Sequence, residues 1–268
     1  MPSPRSSVRL ERHPAKVEVA GATPAVDAIL LLQGKIMSMQ LNRIVPWGRS
    51  LDEYRRMFQL TDDDLRKKIV GCGDGPASFN AEMAKHGHRM VSFDPAYQFP
   101  GEDIRKCFDE SVDVVVDQVR QHPQNYVWKY HHDLESLRRH RTNVMETFLA
   151  DYDRGKSQGR YLIDTLPATR FGDRQFELAV CSHLLFLYTD LLPLEFHVNA
   201  VREMCRIAHE ARIFPLLGLD CVLSRYVAPV RQQLEQMGFE TQIEQVDYEL
   251  QRGANQMLRI FRGTRGNL

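Results

Sequence analysis

An excess of charge of either sign is what this chain most plainly lacks. Its 268 residues carry 35 Lys and Arg against 35 Asp and Glu, so the formal net charge is zero. A nucleic-acid groove draws its affinity from a basic excess or stripe, and neither is present. A dense basic run, Arg138-Arg139-His140-Arg141, reads as the solvated face of a helix. Cysteine is sparse and scattered: five residues at positions 72, 107, 181, 205 and 221. An odd number without close pairs argues against a disulfide framework or a zinc site and implies reduced thiols in the cytoplasm. Long apolar runs are missing too. The longest near the start, residues 28–32, is too short to span a bilayer, and no charged-then-apolar leader precedes it. What remains is 43% hydrophobic and 26% charged residues, a composition for one elaborated globular α/β domain with a large buried core.

Residues 1–23, rich in Pro, Ser, Arg and charge, show no periodicity and read as a loose tail. Apolar residues at helical spacing follow in 24–45, and Ser50-Leu51-Asp52-Glu53 is a capping box that opens a second helix carrying Tyr54, Met57 and Phe58 on one side. These elements make an N-terminal helical segment over 24–64, placed over the mouth of whatever site the main domain, 65–268, contains. In that domain strands are expected at 69–72, 89–93, 160–163, 176–181, 210–215, 240–248 and 255–262, with helices at 77–86, 195–207 and 226–237. The interval 97–158 is far longer than a simple crossover needs and is expected to form an inserted helical cap. The last two strands, joined by a Gly-containing loop, read as a hairpin at the sheet edge.

The densest signal is Lys68-Ile69-Val70-Gly71-Cys72-Gly73-Asp74-Gly75-Pro76-Ala77-Ser78-Phe79. A short apolar run ends in glycines, a helix begins, and a second apolar run stops at Asp94. Strand, tight turn, helix, strand and acidic tip form a unit that cradles nucleotides: glycines let backbone amides approach a ligand, and the carboxylate accepts from a ribose. A dinucleotide fingerprint fits poorly, because Pro76 falls in the last small-residue slot when counting starts at Gly71 and in the turn when it starts at Gly73. Read as x-x-G-x-G-x-G/A, the run supplies Gly73, Gly75 and Ala77.

That register and the distance to Asp94 resemble the first two motifs of class I S-adenosylmethionine-dependent methyltransferases. Two further segments are similar to the same family. Phe176-Glu177-Leu178 opening a strand that ends Cys181-Ser182-His183 resembles its fourth-strand motif, and Glu203-Met204-Cys205-Arg206-Ile207 resembles the helix before its fifth strand. The resemblance, over roughly 65–262 and closest to a bacterial branch, implies a mostly parallel seven-stranded sheet with an antiparallel last strand and helices on both faces. It implies S-adenosylmethionine as cofactor and S-adenosylhomocysteine as product. One position departs: the family usually has Asp or Glu where this chain has Gly71, so a carboxylate that helps fix the methionine end is missing.

The resemblance assigns cofactor contacts to Gly71, Cys72, Gly73, Gly75, Ser78, Asp94, Pro95, Asp164, Thr165, Cys181 and Ser182, with Asp94 on the ribose and Asp164 and Thr165 near adenine. Asp94 also suits a plainer role as N-cap of the turn at Pro95. His183, at a strand end facing the transferred methyl, is the candidate general base; a plainer reading has it hydrogen-bonding a neighbouring element. His131, His132 and His197 are weaker candidates, and adjacent histidines do not face one metal site. No metal is expected. Trp47, Phe186, Leu187 and Tyr188 are either an apolar acceptor pocket or ordinary core. The family's Asn/Asp-Pro-Pro-aromatic loop for nucleobase or glutamine amino groups is replaced here by Ser182-His183-Leu184, which leaves a small or medium organic acceptor as the expected substrate. A non-catalytic nucleotide-binding protein and an NAD-dependent oxidoreductase stand as alternatives.

Overall fold

A computed structural model describes residues 45–263 of the chain. The expected tail at 1–23 and the helical stretch up to residue 44 lie outside the described residues. The first described helix, α1 (Leu51–Met57), starts as its sequence demands: Ser50 Oγ accepts from Glu53 N at 3.3 Å while Glu53 Oε2 accepts from Ser50 N at 3.0 Å. Thr61 and Asp64 repeat the device for the short α2 (Asp62–Arg66). Tyr54, Met57 and Phe58 are all buried, as the one-sided pattern required.

The sheet follows: β1 (Ile69–Cys72), β2 (Met90–Phe93), β3 (Tyr161–Leu162), β4 (Phe176–Ser182), β5 (Ala208–Phe214), β6 (Phe239–Gln245) and β7 (Gln256–Arg262). Their spatial order is β3-β2-β1-β4-β5-β7-β6. The first five are mutually parallel, and β7 runs antiparallel to both β5 and β6. Order and polarity are those of the class I methyltransferase sheet. Both faces of the parallel part are covered, so every residue of β1 is buried. The two-residue period sorts the core. Val70 and Cys72, with Ala179 and Cys181, face α6 (Leu194–Ile207) and α7 (Val227–Gln236). Ile69, Leu178 and Val180 face α1 and α3 (Phe79–Lys85).

The interval expected as one inserted cap divides in two. Its second half, α5 (Leu134–Ser157), packs on α3 and leads into β3, so it is the crossover helix of the sheet. The extra material is α4 (Gly101–Gln121) and the connection after it. An aromatic cluster of Tyr97, Phe148, Tyr152 and Tyr161, with ring centroids 4.8–6.1 Å apart, fastens α5 to the sheet edge, and Ile104 and Phe108 bring α4 into the same core.

The basic run in α5 corrects the expectation of a solvated face. Arg138 and Arg139 are exposed, but Arg141 is only 1% exposed and grips the fully buried Glu53 of α1 with two bonds of 2.7 Å. Tyr248, beyond β6, donates to Glu53 Oε1 at 2.7 Å, and His140 Nε2 lies 3.0 Å from Oε2. Burial pushes the Glu53 carboxyl up, but Arg141, His131 and His140 outweigh it and hold it well below its ordinary range. A carboxyl depressed on folding stabilises the protein at neutral pH and gives that up only as acid protonates it. Arg141→Met leaves this carboxylate buried without its cation and is expected to cost about 3–5 kcal/mol in urea unfolding. The double variant with Glu53→Gln should lose distinctly less than the two single losses added.

Candidate functional site

At the carboxyl ends of β1, β2 and β4, where the strand order reverses direction, lies a cavity of about 580 Å³. Ligands of open α/β sheets bind at such a switch point. Its floor is the glycine loop. Gly73 (φ 65°) and Gly75 (φ 53°) adopt left-handed backbone, which side-chain-bearing residues resist. Loop and second strand are tied together: Gly73 N donates to Phe93 O at 2.9 Å, and Gly75 N to Asp94 Oδ2 at 2.9 Å.

Gly71 explains itself through its neighbour. A Cβ placed on it would lie 1.7 Å from Asp74 Oδ2. The Asp74 carboxylate therefore fills the space that a side chain at position 71 would take. It is buried, accepts from Tyr54 OH at 2.7 Å and Ser92 OH at 2.6 Å, and lines the cavity. An acidic group absent from position 71 thus stands in the same space, carried by the loop three residues on. Sequence reasoning missed this, although an acidic residue between Gly73 and Gly75 was its visible signal. Burial pushes Asp74 up to about 6 against the two hydroxyl donors.

Asp94 serves as cap and wall at once. Oδ1 accepts from Ala96 N at 2.7 Å, capping the 3-10 turn that Pro95 opens, and Oδ2 takes the Gly75 amide. Each oxygen keeps a second lone pair, and Asp94 and Pro95 both line the cavity. Burial pushes Asp94 also to about 6, opposed by its two backbone donors.

Across the cavity, β4 ends in Ser182 and His183, both lining it. His183 takes a left-handed backbone (φ 54°), its amide donating to Phe214 O at 2.7 Å, and its Nδ1 lies 2.8 Å from Ser182 Oγ. Burial, then the guanidinium groups of Arg49 and Arg141, hold its pKa well below the usual imidazole value. At pH 7 the ring is neutral and keeps one nitrogen free of a proton.

The expected site residues divide by position. Gly73, Gly75, Asp94, Pro95, Thr165, Ser182 and His183 line the cavity; Gly71, Cys72, Ser78, Asp164 and Cys181 do not. Cys72 and Cys181 face the α6–α7 core because alternation turns them away. Ser78 Oγ donates to Glu82, and Asp164 is occupied by the amides of Thr165 and Arg170 at 2.9 and 3.0 Å. Trp47, Leu187 and Tyr188 line the cavity, whereas Phe186 stacks on His197 in the core. His197 is spent on the carbonyls of Pro193 and Leu185. His131 turns to Glu53, while His132 is exposed. Walls that the sequence did not announce come from Arg49 before α1, from Ile104, Cys107 and Glu110 of α4, and from Tyr248 and Leu250 beyond β6.

No protein-family model matches the chain. Among solved structures it is similar to magnesium protoporphyrin IX methyltransferase of Synechocystis PCC 6803 with bound SAM, at 12% identity and TM-score 0.43, covering 91% of this chain and 99% of that one. A putative S-adenosyl-L-methionine-dependent methyltransferase of Methanococcus maripaludis is similar at 12% identity and TM-score 0.42, over 81% of this chain and 85% of that one. At these scores the likenesses carry no functional weight. A curated relative is far nearer: the uncharacterized protein MJ0045 of Methanocaldococcus jannaschii is 32% identical over 225 residues, 84% of this chain and 99% of the relative. That relative is archaeal, so the bacterial branch expected from the sequence is not upheld by it. At this identity and coverage the chain belongs to the family of MJ0045.

Proposed function

We propose that the chain is an S-adenosylmethionine-dependent methyltransferase acting on a small or medium organic acceptor. One arrangement carries the reading: the left-handed glycine loop, the Asp94 carboxylate tied to it and the neutral His183 open on the same cavity at the switch point. The cofactor's own contribution is an electrophilic methyl on a sulfonium, so the protein need only hold, align and deprotonate. Gly73 and Gly75 bring backbone against the methionine and ribose moieties. Asp94 has lone pairs to accept the ribose hydroxyls beyond its two backbone donors. Asp74 restores the acidic group of the first motif, which removes the ground for a decayed, non-catalytic site. Trp47, Leu187 and Tyr188 exclude water from the acceptor's path.

His183 takes the acceptor's proton on the ring nitrogen not facing Ser182, and the Ser182 hydroxyl fixes the tautomer that leaves this nitrogen free. Holding the partners in line supplies on the order of 7–11 kcal/mol in favourable systems. This role needs a ring unprotonated at neutral pH, which burial and two nearby guanidinium groups enforce.

Calorimetry with S-adenosylmethionine and S-adenosylhomocysteine tests the cofactor; binding of NAD in place of both would overturn it. Asp94→Ala should weaken S-adenosylhomocysteine about 10–100-fold, the worth of hydrogen bonds to a charged acceptor. Because Asp94 sits near 6 in the free protein and binding uses its ionised form, affinity should be level above pH 6. It should fall by up to about tenfold per pH unit below that value. Asp94→Asn should flatten the fall; an unchanged slope assigns the proton elsewhere. His183→Gln should leave S-adenosylhomocysteine binding intact and cut methyl transfer to metabolite-extract acceptors about 10²–10⁴-fold. Equal turnover in the variant would return His183 to a packing role.

A further inference from the structure

Two buried cations and one buried anion meet beside the cavity, and the anion is used up. Glu53 Oε1 accepts from Arg141 Nη2 and from Tyr248 OH, both at 2.7 Å. Oε2 takes Arg141 Nη1 at 2.7 Å and the Ser50 amide at 3.0 Å, with His140 at 3.0 Å. Two carboxylate oxygens offer about four lone-pair sites, so nothing is left for a second guanidinium. Arg49 comes no nearer than 3.9 Å through Nε, beyond hydrogen-bond reach.

Arg49 is nonetheless 93% buried, being 7% exposed, and lines the cavity. Its Nη1 donates to the Trp47 and Gly48 carbonyls, while Nε has no hydrogen-bond partner among the described residues. The indole Nε1–H of Trp47, which also lines the cavity, is buried without a partner as well. The Trp47 ring lies 5.8 Å from the Arg49 guanidinium carbon and 5.5 Å from that of Arg141. A buried guanidinium whose Nε–H has no acceptor and whose charge meets no carboxylate at hydrogen-bond distance, and an indole N–H without an acceptor, are each costly. Of the other carboxylates lining the cavity, Asp74 is engaged by Tyr54 and Ser92 and Asp94 by the Gly75 and Ala96 amides, while Asp103 and Glu110 belong to α4, and no ion pair joins either to Arg49 among the described residues.

The segment is also fixed in place. The Arg49 carbonyl accepts from Ser78 N at 3.1 Å, and Gly48 runs so close over the glycine loop that a Cβ would lie 2.1 Å from Pro76 O. Arg49 and Trp47 therefore stand rigidly beside the loop that floors the cavity.

We propose that Arg49 and the Trp47 indole form a carboxylate-binding subsite of this cavity, which supplies the anion that Glu53 does not. The assignment rests on the methyltransferase reading for its two sources, the α-carboxylate of the cofactor's methionine tail or a carboxylate of the acceptor. A planar guanidinium with a backing ring suits that group, which it meets with paired N–H donors.

The test is calorimetry on the full chain with S-adenosylhomocysteine, with 5′-methylthioadenosine, which lacks the amino-acid tail, and with acetate. If the tail is the source, Arg49→Met weakens S-adenosylhomocysteine at least tenfold and leaves 5′-methylthioadenosine within twofold. Trp47→Phe, which keeps the ring but not the N–H, then shows a smaller selective loss. If the acceptor is the source, both nucleosides are unaffected, and acetate binds the loaded wild type but not Arg49→Met. Arg49→Lys, retaining the cation, should recover part of the loss, and circular dichroism confirms that the variants are folded. Identical behaviour of wild type and Arg49→Met toward all three probes overturns the subsite. Wild type binding neither nucleoside overturns the cofactor reading instead, and acetate titration of the unloaded protein then decides the subsite alone.

Discussion

The buried Glu53 carboxylate governs more of this molecule than any other single group. It belongs to the capping box of α1, so its position is set by seven residues of local helix. From there it takes Arg141 of α5 and Tyr248 from beyond β6. Three chain segments remote in sequence thus converge on one pair of oxygens. Removing Arg141 would leave an uncompensated interior charge, and removing Tyr248 a carboxylate oxygen short of a donor. Its saturation has an electrostatic consequence as well: the surplus guanidinium of Arg49 faces the cavity, and the field of both arginines adds to burial in keeping His183 unprotonated.

A second carboxylate, Asp74, shows how a position can be filled from elsewhere in the sequence. Strand β1 directs residue 71 toward the face covered by α1 and α3, alongside Ile69. With hydrogen as its side chain, Gly71 opens a space there that the loop's own acid enters. Tyr54 of α1 and Ser92 of β2 then hold that acid from two sides. The same helix that carries Glu53 therefore carries the hydroxyl that positions Asp74, and α1 links the ion cluster to the glycine loop. Where the sequence shows no acid at position 71, the fold places one in the same space.

The sheet was legible because its signals are local. Apolar runs bounded by glycine, a helix closed at Gly87, and the capping boxes of Ser50 and Thr61 each act within a few residues. The reversed last strand was legible for the same reason. Arg141 was not. Its neighbours Arg138 and Arg139 are solvated as charge runs usually are, and nothing within α5 distinguishes the one position facing inward toward an acid 88 residues away. The division of 97–158 was equally hidden, since helical periodicity gives an element's existence and not what it packs against. Of the cavity, the residues placed there by a glycine turn or a strand tip, such as Gly73, Gly75, Asp94 and Ser182, were readable. Trp47 was readable only as pocket or core, and Arg49 and Tyr248, delivered by long-range folding, were not readable at all.

The cavity that results is polar at two ends for different reasons. On the loop side stand two carboxyls, Asp74 and Asp94, raised to about 6 by burial and so poised between ionised and neutral. On the segment before α1 stands a guanidinium whose Nε has no hydrogen-bond partner among the described residues. Leu187, Tyr188 and Phe214 add apolar wall to the same cavity. Separated opposite charges in a water-poor space favour a ligand with complementary ends over either a purely apolar or a uniformly charged one. The segment from Trp47 to Tyr54 builds one end and braces the other, so recognition at the two ends is mechanically joined. A change that loosens Glu53 would for this reason be felt at Asp74, through Tyr54, before it reached the sheet.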